Sequence, residues 1–234
     1  MTNVPKSSAY FEYSVVCYSK VAKTKILGLK INGAFTDLSS TGSPLRCFIA
    51  IELPETVKIA LSNLQEELKK TEADVKWVRP GGMHLTLKFL GYVEEENIKK
   101  IVNTMDRICR EYPFLNLEAK GVGVFPNVRS PRVLWVSVEG NNILAGLQTA
   151  IENGMASLGF EKEDRPFTAH LTLGRVRSFR GCGKLIEIMQ LHQKASFGFI
   201  EVKSISLIKS DLRPTGAQYT RLAELILGQG GGNV

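Results

Sequence analysis

No stretch of this 234-residue chain is apolar for long enough to cross a bilayer. Its four cysteines, Cys17, Cys47, Cys109 and Cys182, show neither C-x-x-C spacing nor a disulfide-framework pattern. That scarcity argues for a reducing intracellular setting rather than a stapled secreted domain. There is no glycine-rich phosphate loop, no nucleophile elbow around a serine and no Cys–His signature. Histidine is scarce as well, with only His84, His170 and His192 present. Acidic residues are outnumbered: a net charge of +7 and a pI near 9.2 favour polyanionic partners such as nucleic acid or nucleotides.

Two of the three histidines lie in a repeat. The pattern Arg-Pro-x-x-x-His-Leu-Thr-Leu runs from Arg79 to Leu87 and again from Arg165 to Leu173. An offset of 86 residues takes His84 to His170, and the same offset takes Arg46–Glu52 to Arg132–Val138, both strand-like segments. The repetition reads as a duplicated pair of similar lobes. Strand alternation puts His84 and Thr86 on one face and Leu85 and Leu87 on the other, and His170 and Thr172 repeat that arrangement. Lys88 shares the parity of His84.

The chain changes character near Leu45. Residues 1–44 hold five lysines against Glu12 and Asp37, with seven serines and no arginine. That composition leaves a disordered extension, a transit peptide and an upstream start codon open. The expected location is cytoplasmic, or an organelle if residues 1–44 target one. From residue 45 to 227 the pattern is that of one domain made of two lobes, and the Gly-rich residues 228–234 read as a flexible tail.

Apolar periodicity predicts a strand over Arg46–Leu53, a helix over Pro54–Lys70, a strand over His84–Leu90, a helix near Glu94–Arg110 and a strand near Leu115–Phe125. The second half predicts a strand over Arg132–Val138, a helix over Asn142–Leu158, a strand over His170–Leu173 and a helix near Gly183–Lys194. Strands around Phe197–Ile208 and Tyr219–Leu227 end the chain. The expected fold is therefore α+β, with duplicated β-α-β-α-β units in a bilobal arrangement and one extra strand, rather than a doubly wound parallel sheet.

A lone His-Leu-Thr-Leu would most simply be a partly buried histidine with one hydrogen bond. A matched polar pair in both lobes is not something a core requires. Zinc would need three or four ligands, and the motif supplies no clustered third. Metal-free acid–base catalysis fits better. A neutral histidine takes a proton from water while a protonated one gives a proton to the leaving oxygen. Threonine hydroxyls donate to non-bridging phosphate oxygens. Arg175, Arg177 and Lys88 are nearby cations, whose bland reading is a solvated surface.

The two H-x-T-x motifs resemble those of the 2H phosphoesterase superfamily. Within it, Cys47–Pro54, Met83–Gly91, Gly121–Asn127, Pro131–Trp135, His170–Arg175 and Ser210–Tyr219 are similar to RNA 2′,3′-cyclic phosphodiesterases, also called 2′-5′ RNA ligases. The resemblance implies pseudo-twofold symmetry with both motifs facing a central cleft. It implies hydrolysis of RNA 2′,3′-cyclic phosphate ends to 2′-phosphomonoesters without metal or cofactor, with 2′-5′ joining in some members. Carried onto this chain, His84 and His170 are catalytic, and Thr86, Thr172 and Arg175 are phosphate-binding. The lean is to His84 as acid to the leaving 3′-oxygen and His170 as base for water, but the nearly identical repeats leave that division open.

Phe48 is a candidate for base stacking, and Arg129, Arg132 and Arg213 for guiding the RNA backbone. The expected partner is RNA ending in a 2′,3′-cyclic phosphate, with no membrane and a monomeric protein. A hydrolase of small cyclic nucleotides, a non-catalytic nucleotide-binding module and an enzyme that chiefly joins RNA ends are the alternatives. His192 is most simply a surface residue.

Overall fold

The computed structural model describes residues 43–213 and 216–228. All but the last two residues of the N-terminal extension, and the tail beyond Gly228, lie outside the described residues. The elements run β1 (Leu45–Glu52), α1 (Glu55–Lys69), β2 (Val75–Trp77), β3 (His84–Val93), α2 (Glu95–Arg110) and β4 (Leu115–Phe125). They continue with β5 (Val133–Glu139), α3 (Asn142–Ala156), β6 (His170–Val176), α4 (Cys182–Leu191), β7 (Ser196–Val202), β8 (Ser204–Arg213) and β9 (Gly216–Ile226). No helix is long and apolar enough to cross a membrane among the described residues.

The helices form where one apolar stripe can be buried. In α1, Val57, Leu61, Leu64 and Leu68 recur at helical spacing and are buried. In α2, Glu95 and Glu96 lie in the first turn and Arg107 and Arg110 in the last, the order that the helix dipole favours. Asn141 caps α3, its side chain accepting from the Ile143 N–H at 3.1 Å.

The strands form one sheet in the order β7-β4-β5-β6-β3-β1-β8-β9, with β2 added on β6, and every pairing is antiparallel. The α+β expectation therefore holds, and a doubly wound parallel sheet is excluded. One apolar core joins the sheet to all four helices, through residues such as Leu61, Met105, Leu147 and Leu185.

Three features differ from the sequence expectation. Each half-sheet draws on both repeats, because the short connection from Phe125 to Val133 forces β4 to lie antiparallel beside β5. The run Phe197–Ile208 is two strands, not one. The chain breaks at Lys203, leaving β7 against β4 and sending β8 to β1 at the far side of the sheet. Strand-like composition continues on both sides of that break, so periodicity carries no sign of it. The short strand β2 had no sequence signal of its own.

The two half-sheets meet at a single pairing, Leu85 opposite Leu171. These residues are 86 apart and occupy the same place in their repeats. An antiparallel pair made of a residue and its own counterpart is what a local twofold axis requires, so the pseudo-symmetry passes between the two motifs. The strand equivalence is not a single offset, however. Glu52 lies opposite His84, and Ser137 lies opposite His170. The structural offset from β1 to β5 is therefore 85, one less than for the histidines. A one-residue slip exchanges the faces of a strand, so β5 presents its side chains with the parity of an 85-residue offset from β1.

Candidate active site

Leu85 and Leu171 are both buried on the helix side. Cross-strand partners point to the same face of a sheet and successive residues alternate. His84, Thr86, His170 and Thr172 therefore all emerge on the opposite face, with the antiparallel direction setting His84 towards Thr172 and Thr86 towards His170. All four are partly buried. The predicted quartet is brought together by tertiary structure.

The two imidazoles are held alike by the backbone. His170 Nδ1 lies 2.7 Å from the Thr168 carbonyl oxygen, an acceptor only, so Nδ1–H donates and the proton-exchanging nitrogen is Nε2. His84 is hydrogen-bonded to the backbone of Gly82, the corresponding residue of the first repeat. An aromatic ring meets each imidazole edge-on, Tyr219 with His84 at 5.2 Å and Phe125 with His170 at 5.2 Å between centroids.

One difference breaks the symmetry. Phe48 stacks on the His84 ring at 4.5 Å, whereas the structural counterpart of Phe48 is Val133. Phe48, Ala50 and Ile208, with Tyr219 packed on them, form a small apolar cluster on the histidine face. Burial in it pushes the His84 imidazole from 6.5 down to about 4, against the raising influence of Gly82 and Glu52. That apolar surround favours the neutral form of the His84 imidazole. That burial runs counter to the lean towards His84 as the acid. The sequence could not reveal it, because the motifs are identical and the asymmetry comes from a neighbouring strand.

Phe48 itself is only 2% exposed, with its ring covered by His84, Tyr219 and Phe89. It backs a histidine and offers no free face to a base, which corrects the stacking expectation. Lys88 is also displaced from its expected place. On β3, Lys88 lies opposite Ile49 and Thr86 opposite Ala50, so Leu87 is an extra residue in the ladder. This β-bulge flips the alternation beyond it. Lys88 turns into the protein, where its Nζ lies 2.5 Å from Glu152 Oε1 and 2.8 Å from the Glu161 carbonyl. The second repeat has the same irregularity, with Gly174 opposite Leu134 and Thr172 opposite Trp135.

The bulge in β6 also returns Arg175 to the histidine face. It is exposed, lies opposite Val133 and Lys76, and acts electrostatically on Tyr219 together with Arg46. Burial raises the Tyr219 hydroxyl above its usual range while these two cations lower it. Arg177 lies exposed beyond β6, Arg129 and Arg213 are exposed, and Arg132 lies over Phe179 at 5.8 Å. His192 is half-buried at the end of α4, with Nε2 3.0 Å from Glu67, so it ties α4 to α1 rather than standing alone at the surface.

Residue-level reasoning missed a polar group beside His84. Glu52 accepts from Arg221 at 2.7 and 2.8 Å and from Ser206 at 2.7 Å. The Arg221 hydrogen bond holds the Glu52 carboxyl below its usual range. Glu52 and Tyr219 occurred only within longer stretches of family resemblance, and their partners are distant in sequence. Among the described residues no group of three or more His, Cys, Asp or Glu is placed to hold a metal ion.

The buried His84 makes stability depend on pH. Its folded pKa lies below the unfolded value of 6.5, so the stability it permits is fully present above 6.5 and is lost as pH falls towards about 4. Between pH 7 and pH 5 the loss should be about 2 kcal/mol. Denaturant unfolding at both pH values, compared with His84→Gln, measures it, and an equal loss in the variant would refute the assignment. The Glu52 contribution belongs to a lower window, since its depressed pKa retains stability above 4.5.

A duplicated antiparallel sheet that presents one His-x-Thr pair from each repeat on a shared face defines a two-histidine phosphoesterase. The chain belongs to the family described as LigT like Phosphoesterase, whose sequence pattern matches residues 51–135 and again 136–219. It is 37% identical over 176 residues to the RNA 2′,3′-cyclic phosphodiesterase of Methanothermobacter thermautotrophicus, covering 75% of this chain and 95% of that one. It is 36% identical over 181 residues to the RNA 2′,3′-cyclic phosphodiesterase of Thermotoga maritima, covering 77% and 94%. Among solved structures, TT0787 of Thermus thermophilus superposes with a TM-score of 0.68 at 29% identity, covering 80% of this chain and all of that one. E. coli LigT complexed with 3′-AMP gives 0.64 at 25% identity, covering 79% and 98%.

Proposed function

We propose that this protein hydrolyses 2′,3′-cyclic phosphate ends of RNA to 2′-phosphate ends by metal-independent acid–base catalysis. The observation that carries the reading is the pairing of the two His-x-Thr motifs across a local twofold axis. Neutral His84 takes a proton from water as its oxygen forms a bond to phosphorus. The P–O3′ bond breaks, and His170, entering protonated, gives its proton to the departing 3′-oxygen. The products are a 2′-phosphomonoester and a free 3′-hydroxyl.

Thr86, Thr172 and Arg175 donate to the non-bridging oxygens, whose charge is greatest in the pentacoordinate state. A 5′-hydroxyl in place of water would yield a 2′-5′ linkage through the same proton transfers. Both motifs come from one chain, which supports action as a monomer. The names of the relatives support RNA ends as the substrate, and the excess of basic residues agrees with it.

The test is product analysis with an oligoribonucleotide ending in a 2′,3′-cyclic phosphate, with EDTA present. The expected product carries a 2′-phosphate and a 3′-hydroxyl. Tight binding without conversion would overturn the hydrolase reading in favour of a binding module.

A further inference from the structure

The strand that carries His84 does not end its functional face at Thr86. The register of β3 against β1 contains two extra residues, Leu87 and Leu90, both buried on the helix side. The first bulge brings Phe89 onto the histidine face, and the second leaves Tyr92 there too. Phe89 is 53% and Tyr92 72% exposed, although both are large aromatic side chains on a paired strand. The ring of Phe89 lies 6.1 Å from that of Phe48, which stacks on His84, so it belongs to the same face.

Tyr92 lies opposite Arg46 in register. Arg46 shares a face with Phe48, two residues along β1, and donates to Ser210 Oγ at 3.1 Å. Its charge also reaches Tyr219, which packs edge-on to His84. The face therefore continues from the histidines through an aromatic ring to an aromatic ring beside a guanidinium.

The duplication sharpens the point. Phe89 lies opposite Phe48 as Arg175 lies opposite Val133, so Phe89 and Arg175 are counterparts. The same position holds a cation in one half-sheet and an exposed aromatic in the other. A symmetric phosphate clamp would repeat the cation. A nucleotide, with phosphate at one end and base at the other, matches the asymmetry.

We infer that β3 is a track for the RNA strand leading to the cyclic end, on which Phe89 stacks the terminal base, Tyr92 stacks the next base, and Arg46 binds the phosphate between them. Aromatic stacking beside a backbone-tracking cation is how single strands are held without sequence selection. Phe89 and Tyr92 are three residues apart, at most about 10 Å along a strand, a span compatible with successive bases rather than one. The inference rests on the proposed action on RNA ends.

The experiment compares KM for a cyclic-phosphate-ended tetranucleotide and for a 2′,3′-cyclic mononucleotide in Phe89→Ala, Phe89→Trp, Tyr92→Ala and Arg46→Gln. Ile59→Ala, an exposed apolar residue on α1, is the control expected to change neither. Phe89→Ala should raise KM for both substrates roughly tenfold to a hundredfold, with recovery in Phe89→Trp. Tyr92→Ala and Arg46→Gln should raise the ratio of tetranucleotide to mononucleotide KM by a similar factor.

A tetranucleotide KM within twofold of wild type in Phe89→Ala and Tyr92→Ala would overturn the track. So would a change of oligomeric state by gel filtration, which would make this patch a contact between copies. Anisotropy of a labelled tetranucleotide ending in 2′-phosphate is measured alongside. If the wild type hydrolyses neither substrate yet Tyr92→Ala loses tetranucleotide binding, the track stands and the hydrolase reading fails. If the wild type binds no RNA at all, both fall.

Discussion

Alanine in place of either His84 or His170 is expected to lower kcat on a cyclic-phosphate substrate by about 10² to 10⁴-fold, the range that one general acid or base supplies. The double variant should be little worse than the poorer single variant, because two groups that act in one proton-transfer sequence do not contribute additively. The pH profiles separate their roles. His84 acts neutral, so wild-type activity falls on the acid side as His84 takes up a proton, and that limb should be absent from the residual activity of His84→Ala. His170→Ala should keep that acid limb. The opposite pattern, with His170→Ala losing the acid limb, would restore the assignment of His84 as the acid. Substrate KM should change far less than kcat, since the phosphate retains Thr86, Thr172 and Arg175.

Replacing Lys88 with methionine is expected to destabilise the fold by about 3–5 kcal/mol, the cost of leaving one partner of a buried ion pair uncompensated. The Lys88 side chain is 1% exposed and that of Glu152 only 12%. Glu152 also accepts from Gln148 at 3.3 Å and from the Glu163 N–H at 2.9 Å, and Lys88 donates to the Glu161 carbonyl. The pair thus fastens β3, which carries the first motif, to the segment that leads into the second. Equilibrium denaturation measures the loss. The double variant Lys88→Met with Glu152→Leu should recover most of it, because removing both charges also removes their desolvation penalty. A single Lys88→Met variant as stable as wild type would show that the pair is not a structural tie.

That lysine also marks the limit of sequence reasoning. Simple alternation gives it the parity of His84, and alternation fails across a bulge. The bulge arises from the pairing of β3 with β1, whose residues are distant in sequence, and no local pattern announces it. The same holds for Phe48. Its place beside the motif strand was legible as a strand neighbour, but its contact with the imidazole depends on the register between two strands.

The helices, the motif-bearing strands and the quartet of His84, Thr86, His170 and Thr172 were legible because they rest on local periodicity and on a repeat that any reader can align. The break at Lys203, the exchange of strands between half-sheets and the slip from 86 to 85 were not, because each is settled by long-range pairing.

By itself the sequence determined that two matched His-x-Thr pairs would emerge on one face of duplicated strands, since a His-x-Thr spacing on a strand leaves little choice of face once the leucines are buried. Only the tertiary structure decided that the two are unequal. Desolvation depends on what the folded chain packs against each imidazole. Here a phenylalanine stacks on one ring, while the structural counterpart of that phenylalanine in the other half is a valine. Identical motifs thereby acquire different surroundings.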